Sequence, residues 1–193
     1  MSIRLFPGRI DIMTLHTETV YLRPLGMDDA AELLELRLRN HAFLQPFEPI
    51  RSSSFLTLTG QQEQIAQAEK DFAAGTGYAF GVFLRETDDM IGRVALSNVV
   101  RGAWQNATIG YFMDQSCNQK GYTTAAVRLA LAFAFQEAGL HRVQAAVMPR
   151  NTASIRVLEK NGFRKEGLSL HYLQINGVWE DHLIFALTAE DLA

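Results

Sequence analysis

Apolar positions along the chain recur with two periods, every second residue in some stretches and every third or fourth in others, and the switches between them mark the elements. Residues 20–25 read as a first strand. Asp28 and Asp29 then open a helix at its positive end, and Ala30, Leu33, Leu34 and Leu38 return at helical spacing within it. Residues 41–59 carry Pro46, Pro49 and three consecutive serines, which predicts an irregular stretch of the kind that shapes a substrate entrance. A polar helix over 61–74 follows and stops at Gly75 and Gly77. Strands are expected over 78–84, 90–99 and 107–113, the last interrupted by Gly110.

The run 125–135 is apolar enough for a buried helix, closed by Gly139, and 142–147 supplies the next strand. Residues 151–160 read as a helix stopped by Asn161-Gly162. Asn176-Gly177, set between 168–175 and 178–187, is the strongest hairpin signal in the sequence. Strand, helices, several antiparallel strands, then helix, strand, helix and hairpin make an α+β protein (mixed α/β content) with a mixed sheet. No repeat or linker divides the chain, so residues 18–193 form one domain and residues 1–17, with Pro7-Gly8 and scattered charges, an N-terminal arm or extra edge segment.

Composition narrows the chemistry. A chain of 193 residues with a net charge of −3 has no reason to seek nucleic acid or an anionic membrane, and no apolar run is long enough to span a bilayer. The lone Cys117 excludes an internal disulfide and fits a cytoplasmic location. The five histidines lack the spacing of zinc ligands, so no metal site is expected. The Walker pattern is absent: its nearest approach, Gly162 to Gly167, continues with Leu168 where lysine is required. The dinucleotide fingerprint is absent as well.

What remains is the stretch Cys117-Asn118-Gln119-Lys120-Gly121-Tyr122-Thr123-Thr124 at the mouth of the apolar helix. Small and polar residues there leave backbone N–H groups facing outward, where they and the helix dipole attract a phosphate. Taken alone the same stretch also reads as a plain turn into a helix. Asn151 and Ser154 share a face with Ile155 and Leu158, and polar groups on an apolar face need partners. A helix cap at Asn151 with Ser154 bonded back to a carbonyl would satisfy them, and so would a ligand.

The same residues resemble the Gcn5-related N-acetyltransferases. The coenzyme A motif of that family, Arg/Gln-x-x-Gly-x-Gly/Ala, falls on 118–123 with Gly121 at its central glycine, while Asn118 and Thr123 depart from it. Ile91-Gly92-Arg93, Ile109-Gly110-Tyr111, His141-Arg142-Val143, Asn151-x-x-Ser154, Asn161-Gly162-Phe163, Glu166-Gly167 and Asn176-Gly177-x-Trp179-x-Asp181-His182 look like its RimJ/RimL branch, the ribosomal-protein-alanine N-acetyltransferases. The resemblance implies a central twisted mixed sheet, flanked by helices and splayed open between two strands, with acetyl-coenzyme A in the split. It also implies that main-chain groups at Phe112 and Met113 meet the pantetheine and that Gln119, Lys120, Gly121, Tyr122, Thr123 and Thr124 hold the pyrophosphate. Asn151 would contact the carrier and Ser154 would protonate or hydrogen-bond the leaving sulfur. The base stays open among Glu166, His171, Asp181 and His182, with a water chain to Glu166 sufficient for an α-amine. The expected acceptor is a protein N-terminus, most plausibly alanine on a ribosomal protein; a small-molecule amine, or a carrier-binding module without chemistry, are the competing readings. The oligomeric state is not legible.

Overall fold

In the computed structural model, which describes residues 14–192, eight strands form one sheet in the order β1-β2-β3-β4-β5-β6-β8-β7. The strands are β1 (Leu15–His16), β2 (Val20–Arg23), β3 (Tyr78–Leu84), β4 (Met90–Val100), β5 (Asn106–Met113), β6 (Arg142–Val147), β7 (Arg164–Ile175) and β8 (Val178–Thr188). The helices are α1 (Ala30–Leu44), α2 (Leu58–Ala74), α3 (Tyr122–Gln136) and α4 (Thr152–Lys160). Among the described residues β5 and β6 are the parallel neighbours, because α3 carries the chain across between them; the other neighbours are antiparallel.

Alternation along the central strands feeds two cores. Val94, Leu96 and Ile109 point to one face, where Val127, Ala130 and Phe133 of α3 and Leu158 of α4 cover them. Phe133 also meets Tyr78 and Phe80 edge-on, at ring-centroid distances of 4.9 and 5.1 Å. Phe83, Met90 and Phe112 point to the other face, under Leu33 and Leu36 of α1 and Ile65 of α2. Helix α3 buries Ala126, Val127, Leu129, Ala130, Leu131, Phe133 and Ala134, so it is apolar almost all round, as a helix covered on several sides must be.

Several boundaries differ from the sequence reading for local reasons. Helix α1 runs on to Leu44, and the proline-rich stretch after it holds short 3-10 turns at Gln45–Phe47 and Ser53–Leu56. Helix α2 starts at Leu58 because Thr57 caps it, its Oγ1 accepting from the Gly60 N–H at 3.1 Å. Strand β7 begins at Arg164, before the predicted 168. Leu15 and His16 pair with Leu22 and Tyr21, so the end of the expected arm is an edge strand; the rest of that arm, residues 1–13, lies outside the described residues. No helix among the described residues is long and apolar enough to cross a membrane, and none of their acidic, histidine or cysteine side chains gather as a metal site.

Candidate active site

Strands β5 and β6 stay paired only from Asn106 to Thr108, opposite Arg142 to Gln144. Beyond that point β5 continues to Met113 on β4 and β6 continues to Val147 on β8, with no ladder between them. The parity of each ladder shows which main-chain groups border the gap. The Asp114 N–H bonds to Ile91 O at 2.7 Å, which makes Phe112 and Gly110 the residues hydrogen-bonded to β4 and turns Ile109, Tyr111 and Met113 toward the gap. On the opposite wall, the Ala189 N–H bonds to His141 O at 2.9 Å, so Ala145 and Val147 bond to β8 and Ala146 faces the gap. An extended ligand bearing amides can complete both edges, as an added strand does.

This parity corrects the expectation for Phe112. Its main chain belongs to β4, and its ring turns away under the Arg37 guanidinium, 3.6 Å from the ring centroid. Met113 keeps its place at the gap, and Tyr111 joins it. Close approach of β4 and β5 here depends on Gly92, where a Cβ would lie 2.5 Å from Phe112 O.

The turn before α3 stands at one end of the gap. Gln119 and Gly121 have φ of 63° and 83°, and Gly121 is the N-cap of α3 with no side chain to satisfy the first amides. The first helix-internal type of bond is Ala125 N–H to Gly121 O at 3.0 Å, which leaves Tyr122, Thr123 and Thr124 as outward donors in the first turn. A Cβ on Gly121 would meet nothing within 4 Å, so the space above these donors is open. Lys120 is exposed beside it. Cys117 is buried in the core and serves as packing.

The turn is held from behind. Asp114 accepts from Arg39 Nε at 2.6 Å and from the Ser116 N–H at 3.0 Å, and Asn40 Oδ1 accepts from the Gln115 N–H at 2.9 Å. Burial works to raise the Asp114 carboxyl, but the hydrogen bonds from Arg39, Ser116 and Asn40 outweigh it and hold it below the ordinary range. A depressed carboxyl contributes stability that is complete above its unfolded value, about 3.9, and is lost as pH falls through the lower folded value. Asp114→Asn is therefore expected to lower the denaturation midpoint more at pH 6 than at pH 3. An equal loss at both pH values would contradict this role.

Ser154 lies in the first turn of α4, and its hydroxyl is 2.9 Å from the hydroxyl of Tyr111, whose single proton has two acceptors in reach, Ser154 Oγ and Ser154 O at 3.3 Å. Burial pushes the Tyr111 phenol up to about 12, the Ser154 hydrogen bond pulling slightly the other way, so the phenol is protonated throughout the neutral range. Asn151 is the N-cap of α4, its Oδ1 accepting from the Ser154 N–H at 3.2 Å. The capping expectation holds for Asn151, while Ser154 bonds to a tyrosine across the gap rather than back to a carbonyl.

Glu166 is placed elsewhere. Its carboxylate is paired with Arg142, with an Nη1–Oε1 distance of 3.0 Å, and with Arg164 at 3.3 Å. Arg142 starts β6, where β5 and β6 are still joined, so Glu166 sits at the closed end of the sheet and not beside Ser154. Hydrogen bonding and charge from Arg142, with help from Arg164, keep its carboxyl below the usual range. His171 and Asp181 bond to each other through the His171 N–H, at 2.8 Å on an exposed strand, and the buried His182 directs Nδ1 at Glu180 O, at 2.9 Å.

A sheet split beside a parallel pair, with an open glycine-led amide turn at one end, is the architecture of an acyl-carrier-dependent acetyltransferase. The chain matches the family described as acetyltransferase (GNAT) domain over residues 19–164, and it belongs to that family. It is 45% identical to the probable N-acetyltransferase YjcK of Bacillus subtilis (strain 168), over 92% of this chain and 98% of that one. It is 33% identical to the [ribosomal protein uS5]-alanine N-acetyltransferase of Escherichia coli (strain K12), over 96% of each. Among solved structures, Mycobacterium smegmatis RimJ in complex with CoA-disulfide superposes with a TM-score of 0.87 at 34% identity, covering 94% of this chain and 88% of that one. The protein is an acetyl-CoA-dependent N-acetyltransferase with acetyl-CoA as co-substrate, and the reading as a carrier-binding module without chemistry falls away.

Proposed function

We propose that the protein acetylates the α-amine of a protein N-terminus, with alanine of a ribosomal protein as the favoured acceptor. The observation that carries this reading is the likeness to the uS5-alanine N-acetyltransferase along 96% of both chains. Acid–base arithmetic supports it. With Glu166 engaged by Arg142 and Arg164, the site holds only weak means of removing a proton, and an α-amine needs little help. At pH 7.2 an α-amine with a pKa of about 7.8 is roughly one-fifth neutral, whereas a lysine side chain at about 10.4 is neutral in fewer than about one molecule in a thousand.

Acetyl-CoA supplies an acyl group activated by a thiol leaving group. The amides of 119–124 fit its pyrophosphate, and the gap edges at Tyr111, Met113 and Ala146 fit the two amides of its pantetheine arm. The Met113 N–H is the main-chain donor we assign to the developing oxyanion. Ser154 donates to the departing sulfur, and Tyr111, donating to Ser154 Oγ, turns the serine proton toward it.

Magnitudes decide whether this pair gives up its proton. The Tyr111 phenol stands at about 12. A thiol stands at about 8.5, and the difference makes full transfer uphill by roughly 5 kcal/mol. The pair therefore acts as a hydrogen-bond donor, and the proton that reaches the sulfur comes from the acceptor nitrogen, which becomes more acidic as it is acylated. Tyr111 is a positioning residue. Tyr111→Phe is expected to lower kcat roughly three- to tenfold, the scale of one neutral hydrogen bond, with the KM for acetyl-CoA unmoved. A rise in that KM at constant kcat would make Tyr111 part of carrier binding instead.

The acceptor is tested by comparing a peptide with a free N-terminal alanine against one with a blocked N-terminus and a free lysine side chain. Faster acetylation of the alanine peptide is expected; faster acetylation of the lysine side chain would overturn the reading.

A further inference from the structure

A cleft of about 250 Å³ lies between the end of α1 and residues 45–56, lined among others by Arg37, Glu48, Arg51, Ser52, Ser53 and Phe55. It abuts the gap, because the Arg37 guanidinium carbon sits over the ring of Phe112, 3.6 Å from its centroid, and Phe112 stands between Tyr111 and Met113 on β5. The hairpin of β7 and β8 closes one side: the Asn176 N–H bonds to Glu48 O at 2.9 Å, and Gln45 Nε2 donates to Asn176 Oδ1 at 3.1 Å.

The charges in and behind this cleft do not balance. Glu48 answers Arg37, with Nη1 and Oε1 2.7 Å apart, yet the buried Arg37 Nε has no hydrogen-bond partner among the described residues. Arg51 is exposed at the cleft, touching the Phe55 ring at 5.3 Å, and no carboxylate among the described residues pairs with it. Behind them on β4 lies Arg93, opposite Phe112, also without an ion-pair partner among the described residues. Burial and the nearby charges of Arg37 and Arg51 push the Arg93 guanidinium down to about 10. Arg37 and Arg51 thus share one carboxylate at this cleft, with the charge of Arg93 behind them in a neighbouring cavity beside Glu69, and the unpartnered buried Arg37 Nε costs free energy unless an anion completes it. Arginine is suited to that anion, since its planar fork matches the oxygens of a carboxylate or phosphate.

We propose that this cleft is a subsite for an oxyanion, a carboxylate or a phosphate, that the acceptor carries within a few residues of the amine it presents. The inference rests on the acceptor being a peptide α-amine, as argued above. It then names the acceptor further: a chain whose first residues after the N-terminus include an acidic or phosphorylated side chain, seated on Arg51 and Arg37.

The test uses the full-length protein and three peptides with N-terminal alanine, carrying glutamate, phosphoserine or glutamine at both the second and third positions. Binding is measured by calorimetry and transfer by initial rates. Glutamate or phosphoserine is expected to improve affinity and kcat/KM about tenfold or more over glutamine, the scale of one charge-assisted hydrogen bond, and the better of the two tells which oxyanion fits. Arg51 is exposed, so Arg51→Gln leaves the core intact, and it is expected to bring the acid-to-glutamine ratio close to one. Arg51→Glu should invert the ratio. Transfer to all three peptides at equal efficiency and affinity would overturn the subsite and leave the α-amine reading standing. Tighter binding of the anionic peptides, lost in Arg51→Gln, without transfer to any would keep the subsite and overturn the α-amine reading. Neither preference nor transfer would overturn both.

Discussion

Gly121→Asp is expected to weaken acetyl-CoA binding by about a hundredfold or more while the protein stays folded. Gly121 holds φ of 83°, a conformation that aspartate and asparagine tolerate better than other side chains. An acidic residue at a helix N-terminus also suits the dipole, so the free protein has little reason to unfold. The bound state suffers instead. A carboxylate placed about 5 Å from a diphosphate repels it by roughly 3 kcal/mol at an effective dielectric of about 20. Gly121→Asn supplies the comparison, with the same bulk and backbone tolerance but no charge. The gap between the two variants, measured by calorimetry, should narrow as salt is raised. Equal affinities for the aspartate and asparagine variants would show that no anion approaches this turn.

Ser154→Ala is expected to lower kcat roughly ten- to hundredfold, the value of a hydrogen bond to an anionic sulfur, while the affinity for acetyl-CoA holds. The substitution also deprives the half-buried Tyr111 hydroxyl of its 2.9 Å partner, leaving it the Ser154 carbonyl at 3.3 Å. Combining it with Tyr111→Phe separates the two effects. If Tyr111 works only through the serine, the double variant is no slower than Ser154→Ala, and the pair is strongly non-additive. Full turnover in Ser154→Ala would remove the serine from the chemistry.

Features set by local chain chemistry could be read before any coordinates. The turn at Gly121 was visible because a glycine, polar neighbours and an apolar run of helical length stand together. Asn151 and Ser154 were visible because three residues along a helix share a face. The Asn176-Gly177 hairpin forms as its turn chemistry requires. Features made by distant residues were not visible. Tyr111 and Ser154 are 43 residues apart, and strand alternation gives the face of a tyrosine but not its partner. Arg37 on α1 meets Phe112 on β5, 75 residues further along the chain, a contact that neither helix spacing nor composition announces. Glu166 stood beside conspicuous glycines, yet the register shifts between Lys165 and Gly167, and such a bulge re-aims a side chain in a way periodicity cannot follow. Which groups border the gap depended on ladder parity, fixed by single bonds such as Asp114 N–H to Ile91 O.

A crystal structure of the protein with bound coenzyme A tests the central claim most directly. The pyrophosphate is expected against the amides of residues 119–124, the pantetheine arm between β5 and β6 along Tyr111, Met113 and Ala146, and the sulfur in hydrogen-bond reach of Ser154 Oγ. Coenzyme A seated away from that turn, or a sulfur ending out of reach of the serine, would contradict it.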